Sequence, residues 1–243
     1  MVTVSMSYNE PFEKIAYNFC NTIAHDELDI RTNKLKIDCT QEQSYNHEEC
    51  WLECIRKKLK FSSMIFDEIQ DNEILIQCDV DMMCINNPKF VDMIYDFKNC
   101  DLDLLGMCED EFKIPEDKNN VNGGFYLIKK NERTKNLFNT MFEYNFADYQ
   151  FHDQDVLNLI LKSSNIKYNV LETNEFVLGC FLHNHVEQIE NICIFHATCT
   201  GGNLGKQEMI DNFVQLYGLE KIDWENLRLF VDVTKYTDSI LSI

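Results

Sequence analysis

Proline and glycine are scarce in this 243-residue chain. Three prolines (Pro11, Pro88 and Pro115) and eight glycines leave no stretch with the composition of a long disordered linker. A chain of this length without linkers suits one generous α/β domain, taken here as residues 1–243. Positive charge is also short: 22 Lys and Arg stand against 41 Asp and Glu, a formal net charge of -19. Such a protein lacks the basic face that neutralises a phosphate backbone, so no nucleic-acid partner is expected. A smaller phosphate-bearing ligand would be repelled too, unless a divalent cation and a few placed lysines reverse the field locally. No run approaches the roughly 18 apolar residues of a membrane span. The start, Val2-Thr3-Val4-Ser5, has neither the basic nor the apolar region of a secretion signal. The expectation is a soluble cytoplasmic protein with no membrane span.

Cysteine, by contrast, is abundant. The eleven cysteines sit mostly inside apolar stretches such as Leu75-Ile76-Gln77-Cys78 and Asn191-Ile192-Cys193-Ile194, and an odd count without a regular framework favours reduced core thiols. Cys50 and Cys54 read as a helical core pair rather than metal ligands, because no CxxC and no partner pair accompany them.

Hydrophobic periodicity divides the chain into alternating strands and helices. Residues 1–8 read as a buried strand and Pro11–Ala24 as an amphipathic helix; His47–Ile69 reads as a second helix carrying Arg56, Lys57, Lys58 and Lys60. A turn at Gln70-Asp71-Asn72 precedes the apolar strand Glu73–Cys78. Further helices are expected at Asn87–Phe97, 132–147, 153–163, Lys206–Tyr217 and Trp224–Leu229, and further strands at Asp101–Cys108, Val121–Lys129 and Ile192–His196. This alternation predicts a mainly parallel sheet with helices on both faces and ligands at the carboxyl ends of the strands.

Asp79-Val80-Asp81 falls at such an end. In an extended backbone both carboxylates would project to one side and share a hard divalent cation, which could stabilise a departing nucleotide diphosphate. Alone the tripeptide is weak evidence: Asp101-Leu102-Asp103 and Asp153-Gln154-Asp155 have the same form, and a solvated loop is the commoner reading of any one. Four blocks in order are more specific. Ile74 to Met83 around the acids, Asn122-Gly123-Gly124-Phe125-Tyr126, Asp153-Gln154-Asp155-Val156-Leu157-Asn158 and Phe195-His196-Ala197 resemble the blocks of the nucleotide-diphospho-sugar transferases, over roughly residues 60 to 210.

The resemblance implies a GT-A (Rossmann-like) α/β fold, a nucleotide-diphospho-sugar donor (UDP-sugar favoured, GDP-sugar possible) and a manganese or magnesium ion. It implies Asp79, Asp81 and His196 at the metal, and Asp79, Val80, Asn122, Gly123, Gly124 and Lys206 at the donor. Asp153 and Gln154 resemble the residues that hold the donor sugar beside the reacting carbon, while Asp155 also reads as a cap of the following helix. Gly123 departs from the family pattern, which has Ser or Thr there. The implied reaction is hexosyl or pentosyl transfer to a glycan, protein or lipid hydroxyl, with retention. A sugar-phosphate nucleotidyltransferase would need a glycine-rich basic loop after the first strand, and Ser5 to Pro11 contains no glycine. A non-catalytic sugar-nucleotide or carbohydrate binder of the same fold is the alternative. The excess of Asn, Ile and Lys matches an AT-rich genome, such as that of a large DNA virus.

Overall fold

Strand β1 (Val2–Asn9) sets the architecture through its alternation. Val2, Val4, Met6 and Tyr8 pack in one apolar cluster with Ile15, Phe19 and Ile23 of α1 (Glu13–Ile23), while Ser5 turns to the opposite face, where its hydroxyl lies 3.3 Å from that of Ser62 on α2 (Glu49–Glu68). The computed structural model describes residues 1–23, 28–38, 49–85, 87–110, 119–144, 152–198 and 200–241. Within these, β2 is Ile30–Ile37, β3 is Ile74–Cys78, β4 is Met82–Cys84, α3 is Asn87–Asn99 and β5 is Leu104–Cys108. Then come β6 (Val121–Lys129), α4 (Leu137–Glu143), α5 (Asp153–Ser163), β7 (Tyr168–Val170), β8 (Phe176–Leu178), β9 (Ile194–His196), α6 (Gly202–Tyr217) and β10 (Val233–Thr237).

Seven strands form one twisted layer in the order β10-β2-β1-β3-β6-β5-β7. All neighbours run parallel except at β6, which is antiparallel to both β3 and β5. A small second sheet, β4-β9-β8, stacks beside the carboxyl end of β3 and carries His196 at the end of β9. One apolar cluster fills the side of α1, α3, α6 and the small sheet; another fills the side of α2, α4 and α5.

Several sequence expectations change. Strand β2 was not anticipated, because Asn33 and Lys34 break its hydrophobic pattern although both are buried. The helix expected at Trp224–Leu229 is a turn followed by irregular chain, since its carbonyls face α1: Lys14 Nζ donates to the Leu227 oxygen (2.7 Å) and Asn21 Nδ2 to that of Arg228 (2.7 Å). The helix expected over 132–147 is shortened to Leu137–Glu143, and residues 145–147 lie outside the described set, as do Ala24, His47 and the side chains of Cys50 and Trp51. Pro11 lies in a short 3-10 turn that leads into α1 rather than in the helix itself. At the other end of the chain, α6 starts at Gly202, four residues earlier than expected, and ends on Gly218, whose φ of 86° suits glycine. Among the described residues, Cys20, Cys78, Cys84, Cys108 and Cys193 are buried.

Candidate functional site

The acids of Asp79-Val80-Asp81 meet by a route other than the expected one. Residues 79–81 leave β3 in a bend, not an extended run. Two backbone bonds fix that bend: Asp79 N donates to the Gly124 oxygen (2.7 Å) and Ala197 N to the Asp81 oxygen (2.8 Å). The first ties the acids to β6 and the second to the end of β9, so three segments distant in sequence converge on one point. His196 Nε2 then lies 3.2 Å from Asp81 Oδ1 and 3.9 Å from Asp79 Oδ2. One ligand atom from each of Asp79, Asp81 and His196 lies within 4.8 Å of the others, so the three could hold a metal ion.

Two half-buried ammonium groups neutralise these carboxylates. Lys206 Nζ is 2.5 Å from Asp81 Oδ2 and 2.6 Å from the Ala197 oxygen. Burial alone would raise the Asp81 pKa, but Lys206 and His196 outweigh it and hold the carboxyl well below the usual range. Lys58 of α2 lies 2.9 Å from Asp79 Oδ1 and 2.9 Å from Asp153 Oδ2, and donates to the Gly123 oxygen at 3.3 Å. Burial would lower its pKa, yet Asp153 and Asp79 raise it well above the ordinary lysine value. The position of Lys58 follows from packing. One turn further on, Ser62 Oγ sits between the Lys58 carbonyl oxygen (2.9 Å) and Gln77 Oε1 of β3, which riveted together set α2 against the strand that carries Asp79.

The sugar-side block is a closed hydrogen-bond set. Gln154 Oε1 accepts from Gly123 N (2.8 Å) and Asn122 Nδ2 (3.2 Å); Asn122 Oδ1 accepts from Gly124 N (2.9 Å), and Asn122 Nδ2 also reaches Glu109 Oε2 (2.5 Å). The hydrogen bonding left open by the missing Ser or Thr at position 123 is thus met by Gln154. A methyl group on Gly124 would collide with the His196 ring and the Asp79 carboxylate, so only glycine lets β6 run this close. Asp155 accepts from His152 N (3.2 Å) at the start of α5, which is the capping role expected of it.

These residues line two joined hollows. The larger, about 510 Å³, holds Asp81, Asn122, Gln154, His196 and Lys206, with Glu109 and His152 at its wall. The smaller, about 230 Å³, is mainly apolar, walled by Tyr8, Phe12, Ile37, Cys54, Ile55 and Val80. Lys58, Asp79, Asp81 and Asp153 belong to both. The cleft therefore has an apolar end, a charged waist and a polar end.

A family profile described as nucleotide-diphospho-sugar transferase matches residues 13–210. The chain belongs to that family. Its α/β fold is the GT-A fold of glycosyltransferases. The galactosyltransferase LgtC, solved with donor and acceptor sugar analogues, superposes with a TM-score of 0.57 at 14% identity, covering 93% of this chain and 98% of that one. A glycosyltransferase involved in glycosylation of the major capsid of PBCV-1 superposes with a TM-score of 0.56 at 12% identity, covering 86% and 98%. An uncharacterised Arabidopsis thaliana protein is 30% identical over 125 residues, 49% of this chain. The match covers 30% of that relative's own length. No described helix is long and apolar enough to cross a membrane.

All the site residues singled out from the sequence line this cleft, but part of its wall was not among them. Lys58 was one of four basic residues on a helix. Its signal was spacing: it lies three residues after buried Ile55 and four before buried Ser62, on the inward seam, whereas Lys57 pairs with Glu53 (2.7 Å) and Asp238 (2.9 Å). Tyr8, Phe12 and Ile37 carried no signal, because apolar residues at strand ends and helix starts read as core.

Proposed function

We propose that the chain is a metal-dependent glycosyltransferase that moves a hexose or pentose from a nucleoside-diphosphate donor, UDP-sugar before GDP-sugar, to an acceptor hydroxyl with retention. The observation that carries this is the cleft's graded chemistry. An apolar end with two aromatic rings suits a planar base, the charged waist suits a diphosphate, and the polar end suits sugar hydroxyls. Asp79, Asp81 and His196 offer two hard oxygens and one imidazole, a donor set that fits manganese or magnesium, and positive charge from Lys58 and Lys206 already lies against both acids. A bound divalent ion would supply charge stabilisation for the departing diphosphate.

The chain's own residues do the rest. Lys206 contributes a second positive charge to the phosphates once an ion takes over Asp81, and Val80 packs beneath the nucleotide. Asp153 and Gln154 hold the sugar ring, with the backbone of Asn122, Gly123 and Gly124 closing over it; Lys58 holds the Asp79 and Asp153 carboxylates in place. The 243 residues act as one catalytic domain. Its eleven cysteines, an odd count without a regular framework, fit the reducing cytoplasm, and the acceptor is a glycan, protein or lipid rather than a nucleic acid.

Calorimetric titration with UDP and with GDP, with and without manganese, tests the reading alongside Asp81→Ala. Metal-dependent binding that disappears in the variant supports it, and turnover of labelled donor sugar then separates an enzyme from a non-catalytic binder. If neither nucleotide binds under any metal condition, the reading fails.

A further inference from the structure

The apolar end of the cleft has a buried charge behind it. Lys34 lies on β2 opposite Met6 of β1, with 1% of its surface exposed, and its ammonium has no hydrogen-bond partner. It sits instead 4.7 Å from the centre of the Tyr8 ring and 4.3 Å from that of Tyr17 on α1. Tyr8 is the residue that ends this chain of contacts at the cleft wall. Its hydroxyl is tethered separately, donating to Glu13 Oε1 at 3.3 Å.

For packing alone a lysine is a poor choice at this point. A methionine of similar reach would fill the space without the cost of dehydrating an ammonium that finds no acceptor. What a cation adds is direction, because it is attracted only over the ring faces and so restrains both rings at once. We propose that Lys34 is a positioning residue for nucleotide binding, whose ammonium holds the Tyr8 ring as the wall against which the base is seated. The proposal rests on reading that end of the cleft as the base site.

The groups facing Lys34 are Tyr8 from β1, Glu13, Tyr17 and Cys20 from α1, Lys36 on its own strand and Lys235 from β10. Burial pulls its pKa down to about 8, with Lys235 and Lys36 adding to that and Cys20 and Glu13 opposing it. The ring restraint is therefore present at neutral pH and fades as pH rises through about 8.

The test is the dissociation constant of UDP with magnesium, measured calorimetrically from about pH 6.5 to about pH 9.5 in wild type, Lys34→Met and Tyr17→Leu. Wild-type affinity is expected to fall about fivefold across the rise, while Lys34→Met is about fivefold weaker at the start and has lost that step. Tyr17→Leu keeps the step but moves it to lower pH, since one of the two ring faces is gone. In turnover, Lys34→Met should raise KM for the donor and leave kcat within about twofold. Wild-type affinity in Lys34→Met at neutral pH, or the same pH step persisting in that variant, would overturn the proposal. If Lys34→Met does not fold, an unshifted step in Tyr17→Leu overturns it. Wild type that binds no nucleoside diphosphate at any pH overturns the base-site reading itself, a result distinct from either.

Discussion

Asp79-Val80-Asp81 and Asp101-Leu102-Asp103 are the same kind of tripeptide beside a buried strand, and their second acids are both buried, Asp81 at 8% and Asp103 at 1% exposure. They differ in which end of a strand they occupy. The first follows β3 at its carboxyl end; the second precedes β5. Asp103 accepts from Arg133 Nε and Nη2 (both 2.6 Å), Asn131 Nδ2 (2.8 Å) and the Lys167 amide (2.8 Å), so its oxygens are fully engaged by fixed donors. Asp81 faces Lys206 and His196, side chains that can give way to an ion, and it does so in a cleft. Composition cannot separate the two; position along the strand can, because in open α/β sheets only the carboxyl end is left free for ligands.

The sharpest break of this comparison is to neutralise each acid in turn. Asp81→Asn should lower kcat/KM about 10³-fold with the melting temperature little changed, measured by donor turnover and thermal melts. Asp103→Ala should do the reverse, costing about 3 kcal/mol of stability in urea unfolding while the folded protein binds nucleotide normally. The comparison collapses if Asp103→Ala removes nucleotide binding from a folded protein, or if Asp81→Asn only destabilises. Acidity sharpens it further. Burial would raise the Asp103 pKa, but its bonds to Arg133, Lys167 and Asn131 hold it below the usual value. Its contribution is therefore present above about pH 4 and lost as pH falls through the lower folded value, so the Asp103→Ala penalty should shrink in acid.

The same contrast shows what was legible in advance. The end of β3, the full span of β6 and the start of α5 were readable, because there hydrophobic period and motif agree. Strand β2 was not, because its inward-facing Asn33 and Lys34 are polar and only the tertiary context reveals that they are buried. The geometry of the acids was misread as extended, although their meeting was right: the bonds from Gly124 and Ala197 that bend residues 79–81 come from segments more than 40 residues away, as their numbers show. His196 could be named from its block; Lys58 was marked only by its spacing from Ile55 and Ser62, because its ion pair with Asp153 is a property of the packed helix and not of its neighbours in sequence.

Lys58 extends the comparison to a cation shared between two acids. Lys58→Met leaves Asp79 and Asp153 facing each other without their common counter-charge, so donor turnover should drop about 10- to 100-fold, chiefly in kcat, because the sugar-side carboxylate loses its fixed position. A KM effect alone would mean that Lys58 serves only general attraction of the anionic donor.

The smallest effect concerns a buried charge with no hydrogen-bond partner at all. Asp103 is stabilised by its donors; Lys34 has only ring faces, and its burial lowers its pKa from the ordinary lysine value to about 8. Between about pH 8 and about pH 10.4 the unfolded chain therefore binds more protons at this site than the folded one, and stability rises with pH across that window. Below it the folded protein carries the full cost of burying the ammonium. Replacing it with methionine should thus raise stability by about 1 to 2 kcal/mol at pH 7, opposite in sign to Asp103→Ala, and the gain should shrink toward zero as the window is crossed. Urea unfolding of wild type and Lys34→Met at several pH values reads this directly. A loss of stability at neutral pH would mean that the two ring faces more than compensate the dehydrated ammonium, and that Lys34, like Asp103, is held in the core by its partners.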